Sequence, residues 1–73
     1  MNAQDIIDRI TASLPDAQVI PEGEGCQFKI TVTSAAFAGK TRLAQHQMIN
    51  KLLADWLASG ALHAITLNTR TPT

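Results

Sequence analysis

The chain has a single cysteine and no tyrosine among its 73 residues. One thiol cannot form an internal disulfide, which excludes the disulfide-stapled secreted scaffolds. One cysteine and two histidines also fall short of the four protein ligands that a closed zinc site requires. A metal bound by this chain would therefore need further ligands from elsewhere.

Neither sign of charge is in excess, since six basic residues balance six acidic ones. A net charge of zero weakens the case for nucleic acid or an anionic membrane as an obligatory partner. No apolar run approaches the roughly 20 residues of a membrane span. Residues 1–14 lack the basic leader and long apolar core of a secretory signal. We therefore expect a cytoplasmic protein that makes no membrane contact.

The length and composition of the chain favour one small domain over residues 1–73, because 45% of its residues are apolar and a chain this short cannot divide further. The balanced charge is unevenly spread: residues 1–28 carry a net charge of −4 and residues 29–73 carry +4. Two interpretations stay open. The two regions are solvated faces, or the positive one meets an acidic partner.

Hydrophobic spacing predicts an α-β-β-α(α)-β order. The predicted elements are a helix over 3–13, strands over 17–20 and 26–33, a helical segment over 41–58 and a strand over 61–68. Asn2 and Thr41 are the expected N-caps, and Pro21 is expected to end the first strand. The long segment divides into two helices if they meet near Asn50–Lys51. This order predicts a two-layer α+β domain, with a three-stranded sheet and helices on one face.

No catalytic motif is present, so we do not expect an enzyme. The residues able to bind a transition metal are Cys26, His46 and His63. Cys26 is either a small half-buried hydrophobe or a ligand. His46 lies within the long helical segment and is expected to be structural or to support a ligand, whereas His63 is either a rim residue or a ligand. If the second strand is central or adjacent to the third, the starts of the two strands can lie at the same sheet edge, and Cys26 and His63 can share that edge.

Several motifs resemble those of the BolA family over essentially the whole chain. The resemblance lies in Gly23-Glu24-Gly25-Cys26-Gln27-Phe28, in the run from Phe37 to Ile49 that contains Gly39-Lys40 and His46-Gln47, and in Leu62-His63-Ala64 with the following Thr69-Arg70-Thr71-Pro72. The resemblance implies an α-β-β-α-α-β domain with a mixed sheet, related to type II KH folds. It is thus in agreement with the order read from hydrophobic spacing.

The resemblance also implies a partner, since BolA-like proteins pair with monothiol glutaredoxins and share a 2Fe-2S cluster at the interface. Glutaredoxin and glutathione supply thiolates, and the resemblance implies that this chain supplies His63 and Cys26. The isolated chain is expected to be a monomer without the cluster. Two positions depart from the family pattern. Gln27 stands where histidine is common, and Gln45 replaces an arginine, which removes a positive charge from the helix.

Two other functions compete with an iron–sulfur adaptor used in cluster trafficking or iron sensing. Some BolA-like proteins are described as transcriptional regulators related to stress or morphology, so a KH-like domain that binds DNA is the main alternative. Lys40 and Arg42 would then contact phosphates, although a KH loop has a G-x-x-G motif and residues 39–42 supply only its first glycine. A protein-interaction module without metal is the third interpretation.

Overall fold

The computed structural model describes residues 1–72. Its elements follow the order α-β-β-α-α-β, with a short 3-10 turn before the second helix. They are α1 (Ala3–Ser13), β1 (Gln18–Glu24), β2 (Gln27–Thr33), the 3-10 turn (Ala35–Phe37), α2 (Arg42–Leu52), α3 (Ala54–Ser59) and β3 (Ala64–Arg70). The predicted α+β class and the order of the elements are confirmed.

Helix α1 has the bounds that its sequence predicts. The side chain of Asn2 accepts a hydrogen bond from the backbone N–H of Asp5 at 2.9 Å, which satisfies one of the free amides at the helix start. Ile6 and Ile10 are fully buried, and the acidic residues face solvent. One apolar stripe therefore fixes both the extent of the helix and the face that packs on the sheet.

The sheet has the strand order β1-β2-β3, with β2 in the centre. Strands β1 and β2 are antiparallel, whereas β2 and β3 are parallel. Strand β2 buries alternate apolar residues against the helices, as its period of two predicts. The buried apolar core is formed by Ile6, Ile10, Phe28, Ile30, Val32, Phe37, Ile49, Leu53 and Leu62.

Strand β1 is longer than its sequence predicts. It runs through Pro21 to Glu24, and the hairpin turn lies at Gly25–Cys26 instead of over residues 22–25. Proline is tolerated because β1 is an edge strand. The register pairs Pro21 with Ile30, and Ile30 lies among the residues of β2 whose backbone groups face β3. The backbone nitrogen of Pro21 therefore points to the solvent side of the sheet, so its lack of an N–H removes no hydrogen bond between β1 and β2.

The helical segment divides at Leu53, two to three residues beyond the position predicted for the joint. Leu53 is fully buried and has φ −105° and ψ 7°. Arg9 of α1 donates from Nη1 to the Leu52 carbonyl at 3.4 Å and to the Asp55 carboxylate in the first turn of α3. Its guanidinium also stacks on the Trp56 ring at 3.7 Å. The break is therefore stabilised by a residue more than 40 positions away, which local spacing does not reveal.

Asp16 stabilises the link between β2 and the 3-10 turn. Its carboxylate accepts hydrogen bonds from the Ala35 backbone N–H at 2.8 Å and the Ser34 hydroxyl at 2.9 Å, and Ser34 is fully buried. The Ala35 amide, and after it the Ser34 hydroxyl, lowers the pKa of Asp16 below its ordinary value, because both donors favour the charged form.

Two further expectations concern the second half of the chain. Thr41 caps α2, since its hydroxyl accepts from the Ala44 N–H at 3.1 Å. Strand β3 begins at Ala64, three residues later than predicted, because Gly60 ends α3 with φ 85° and residues 61–63 form the return loop. Within residues 1–72 no helix has the length and apolar character needed to cross a membrane.

Candidate metal centre

Cys26 and His63 are neighbours at one corner of the sheet. The parallel register pairs Gln27 of β2 with Ala64 of β3, so the residue before each strand lies at the same end of the sheet. The Cys26 carbonyl accepts hydrogen bonds from the His63 N–H at 2.7 Å and the Ala64 N–H at 3.2 Å. The structure thus brings together the two candidate ligands that were 37 positions apart in the sequence.

The hairpin turn holds Cys26 in a defined backbone conformation. Gly25 lies in the left-handed region with φ 65°, which suits the two-residue connection between antiparallel strands. Gly23 has φ 131°, and a Cβ atom there would collide with the Gln27 carbonyl oxygen. Glycine is therefore required at position 23 by a close approach of two backbones.

The loop that carries His63 is anchored on its other side by the core. The preceding residue, Leu62, is fully buried, and its N–H donates to the Trp56 carbonyl at 3.0 Å. His63 itself is exposed. A buried residue next to an exposed one fixes the loop while leaving the imidazole accessible to a ligand or a partner.

The two side chains at the corner suit a borderline or soft metal. Cys26 is a free, half-buried cysteine, and thiolate and imidazole together bind iron, zinc and copper. Within residues 1–72, no three residues among His, Cys, Asp and Glu lie close enough to hold a metal ion. The corner can therefore contribute two ligands of this kind, and a complete site would need others from a second molecule.

The remaining candidates lie elsewhere in the fold. His46 is half-buried in α2 and does not complete a three-ligand group with Cys26 and His63. Lys40 and Arg42 are exposed on either side of Thr41, where the chain enters α2. These two cations lie close to each other in sequence and do not belong to the corner that holds Cys26.

Gln45 has a role that sequence reasoning missed. Its Nε2 donates to the Lys40 carbonyl at 3.0 Å and to the Phe37 carbonyl at 3.3 Å, and its Oε1 accepts from the Thr69 hydroxyl at 2.7 Å. The side chain therefore joins α2, the loop before it and β3. The sequence showed only the loss of a positive charge at this position, because the Thr69 contact depends on the tertiary structure.

Comparison with known proteins decides the family. A family model described as BolA-like protein matches residues 9–73. The chain belongs to the BolA family. It is 41% identical over 56 residues to the DNA-binding transcriptional regulator BolA of Vibrio cholerae, a match that covers 77% of this chain and 52% of the relative. The chain thus spans about half the length of that BolA relative.

Solved BolA structures share the whole architecture. A bolA protein homologue from Coxiella burnetii superposes with a TM-score of 0.84 at 33% identity, over 99% of this chain and 92% of that one. The BolA domain of SufE1 from Arabidopsis thaliana gives 0.85 at 26% identity, over 99% and 95% respectively. The mixed three-stranded sheet with its helices is therefore the BolA fold, as the sequence motifs predict.

Proposed function

We propose that this chain is an iron–sulfur adaptor that binds a monothiol glutaredoxin and shares a 2Fe-2S cluster with it. The observation that carries the proposal is the corner where the Cys26 carbonyl accepts from the His63 N–H at 2.7 Å. This backbone contact holds the cysteine and the histidine next to each other at one corner of the sheet. Membership of the BolA family supports the proposal, because the family resemblance implies this partner.

The donor set fits a cluster shared between two molecules. Protein-bound 2Fe-2S clusters have four ligands, usually cysteine thiolates, with two histidines replacing two of them in some proteins. The corner would supply His63 as a neutral imidazole and Cys26 as a thiolate. Glutaredoxin and glutathione would supply the other two ligands as thiolates. When bound, the cluster supplies one-electron redox chemistry or is passed to a client.

This chain's own residues would hold the ligands in place. The backbone hydrogen bonds at Cys26 fix the distance between the hairpin turn and the return loop. Buried Leu62 keeps that loop against the core, so His63 can engage a partner at a small cost in conformational entropy. The half-buried position of Cys26 limits exposure of its sulfur before the partner binds.

Cluster reconstitution tests this proposal. The chain is mixed with a monothiol glutaredoxin, ferrous iron, sulfide and glutathione, and visible absorption and circular dichroism are recorded. We expect His63→Ala to abolish or strongly change the spectrum of the heterocomplex and Cys26→Ser to weaken it. His46→Ala is the matched control, since it removes an imidazole from α2, and should leave the spectrum unchanged.

The variants separate the parts of the proposal. An unchanged spectrum with His63→Ala would show that this histidine is not a ligand. An unchanged spectrum with Cys26→Ser alone would remove Cys26 from the ligand set and leave the adaptor role with His63. Glutaredoxin binding that is indifferent to both substitutions, with no cluster formed, would favour a pure protein-interaction module.

DNA binding is the second candidate function, and one observation favours it. Lys40 and Arg42 are both exposed where the chain enters α2, and basic side chains beside a helix start can contact phosphates. Gel shifts at low and moderate salt test this function. Binding that weakens with salt and with Lys40→Glu plus Arg42→Glu would support it, whereas no shift even at low salt would exclude it.

A further inference from the structure

The two edges of the sheet differ in how well they are protected against pairing with another strand. Alternate residues of a strand direct their backbone groups to the same side. The Ala64 N–H donates to Cys26 and the Arg70 carbonyl accepts from Ser34, so the even-numbered residues of β3 face β2. The backbone groups of Ile65, Leu67 and Thr69 therefore point outward, along the free edge.

Strand β1 forms the other edge, and its outward backbone groups are interrupted. They belong to Val19, Pro21 and Gly23, because the even-numbered residues of β1 pair with β2. Pro21 removes the N–H in the middle of this set, and proline is a common device that protects an edge strand. Glu22 and Glu24 add negative charge along the same strand. Pairing of another strand with β1 is therefore disfavoured.

Strand β3 has none of these devices between Ala64 and Thr69, where it carries neither proline nor charge. Within residues 1–72 the outward N–H and C=O groups of Ile65, Leu67 and Thr69 have no hydrogen-bond partner. Ile65 and Leu67 pack against the core but remain half-buried. A free seven-residue edge next to an incompletely covered apolar layer is a surface suited to strand addition.

We propose that two copies of this chain pair through β3 as antiparallel edge strands, with Leu67 on the two-fold axis. In this register residue 67 faces its own counterpart, and Ile65 faces Thr69 of the second copy. All three outward residues of each strand then face outward residues of the other. The pairing forms about six backbone hydrogen bonds and brings the half-buried Leu67 side chains together.

The occupant is a second copy because the strand is self-complementary. Leu67 is the central residue of β3, so this register uses the whole strand, whereas a shift by two residues leaves part of it unpaired. A shift by one residue would oppose outward and inward backbone groups. Arg70 lies opposite Ala64 of the second copy, so no like charges meet. The two-fold symmetry makes the interface isologous, as in most homodimers.

Assembly stops at two chains, since the pairing consumes both β3 edges and leaves only the β1 edges with Pro21. The contact is a single strand pair, which places it among the small, weak interfaces below about 1,200 Å². We therefore expect association in the micromolar to millimolar range. The sequence predicted a monomer, and the free β3 edge restricts that prediction to dilute solution.

Analytical ultracentrifugation of the chain alone tests the pairing, from about 10 µM to about 1 mM in 0.15 M salt. Thr66 and Asn68 are exposed on the open face of β3. In the proposed register, Thr66 of one copy lies opposite Asn68 of the other. Thr66→Lys with Asn68→Lys therefore brings lysines face to face at two places. Thr66→Lys with Asn68→Glu instead makes two opposite-charge pairs.

Gln18→Lys with Ile20→Lys is the matched control. It adds the same two charges to the open face, but on β1, where both side chains are exposed. We expect the wild-type apparent mass to rise towards two chains as concentration increases. The double lysine variant of β3 should raise the dissociation constant by about 2- to 30-fold, because it creates two like-charge pairs across the strands. The lysine–glutamate variant should keep or lower it, and the β1 control should leave it unchanged.

Three results would overturn the pairing: a wild-type mass of one chain throughout, assemblies larger than two chains, or an equal loss of association in the β1 control. Circular dichroism of each variant confirms that it is folded. Because no glutaredoxin or iron is present, a negative result here leaves the adaptor proposal intact. Equally, loss of cluster formation in His63→Ala does not affect the self-association measurement.

Discussion

Replacing Gln45 by alanine should lower the free energy of unfolding by about 1–3 kcal/mol. The side chain makes hydrogen bonds to Thr69 at 2.7 Å, to Lys40 at 3.0 Å and to Phe37 at 3.3 Å. Each bond contributes about 0.5–1.5 kcal/mol net. The expected loss is smaller than the sum of the three upper limits, because Gln45 is half-buried and water can replace part of the hydrogen bonding that the substitution removes. For a domain of this size the melting temperature should fall by about 4–24 °C.

Urea unfolding of a double-mutant cycle measures the Gln45–Thr69 bond separately. Thr69→Val removes the hydroxyl and keeps the shape of the side chain, and the double variant gives the coupling energy, expected to be about 0.5–1.5 kcal/mol. Gln45→Glu is the complementary variant, because it keeps an acceptor for Thr69 and loses the donor to both carbonyls. It should destabilise the loop before α2 even with the Thr69 bond in place.

The result that would refute this reasoning is additivity. If Gln45→Ala and Thr69→Val together cost the sum of the single substitutions, the 2.7 Å contact contributes nothing to stability. If Gln45→Glu is as stable as the wild type, the donated bonds to the loop are unimportant. The slope of the urea transition should be the same in all variants, since a change in slope would mean that the unfolded or native ensemble had changed instead.

Two further predictions concern turns that position the site and the sheet. The free energy of unfolding should decrease as the pH is lowered and Asp16 becomes protonated. The Ala35 amide and then the Ser34 hydroxyl lower the pKa of Asp16 in the folded state from 3.8. The resulting stabilisation is complete above the pKa of the unfolded state and is lost as pH falls through the pKa of the folded state. Asp16→Asn should flatten this part of the unfolding profile, and an unchanged profile would contradict the assignment. Gly23→Ala should cost more than Gly25→Ala, since the first adds a backbone collision to a positive φ while the second has open space around it. We expect about 1–2 kcal/mol for Gly25→Ala and more for Gly23→Ala in thermal unfolding, and equal losses would show that the close approach is relieved cheaply.

Local signals in the sequence predicted the parts of the fold that depend on near neighbours. The bounds of α1 follow from a cap and a stripe within one stretch of 11 residues. The cap at Thr41 and the left-handed residue at Gly60 are similarly local. The first strand was predicted too short because proline usually ends a strand, and only its position on an edge permits Pro21. The helix break was misplaced because Arg9 stabilises it from another helix.

The candidate site divides in the same way. Cys26 and His63 could be named from residue type and family resemblance, because thiol and imidazole are the chain's soft and borderline ligands. Their adjacency depends on the parallel register of β2 and β3. The sequence did not determine whether these two strands are neighbours. Gln45 could not be singled out, since neither periodicity nor motif shows that its partner is Thr69.

The sequence by itself determined the class of the protein: a small α+β domain of the BolA family with too few ligands for a metal site of its own. Composition, hydrophobic periodicity and helix caps suffice to predict the class, because these signals depend on residues that are close together in the sequence. Only the tertiary structure decided that the Cys26 carbonyl accepts a hydrogen bond from the His63 amide. It also decided that one sheet edge is interrupted by proline while the other has no partner strand within residues 1–72. Strand register and edge position join residues far apart in the chain, so no local pattern encodes them.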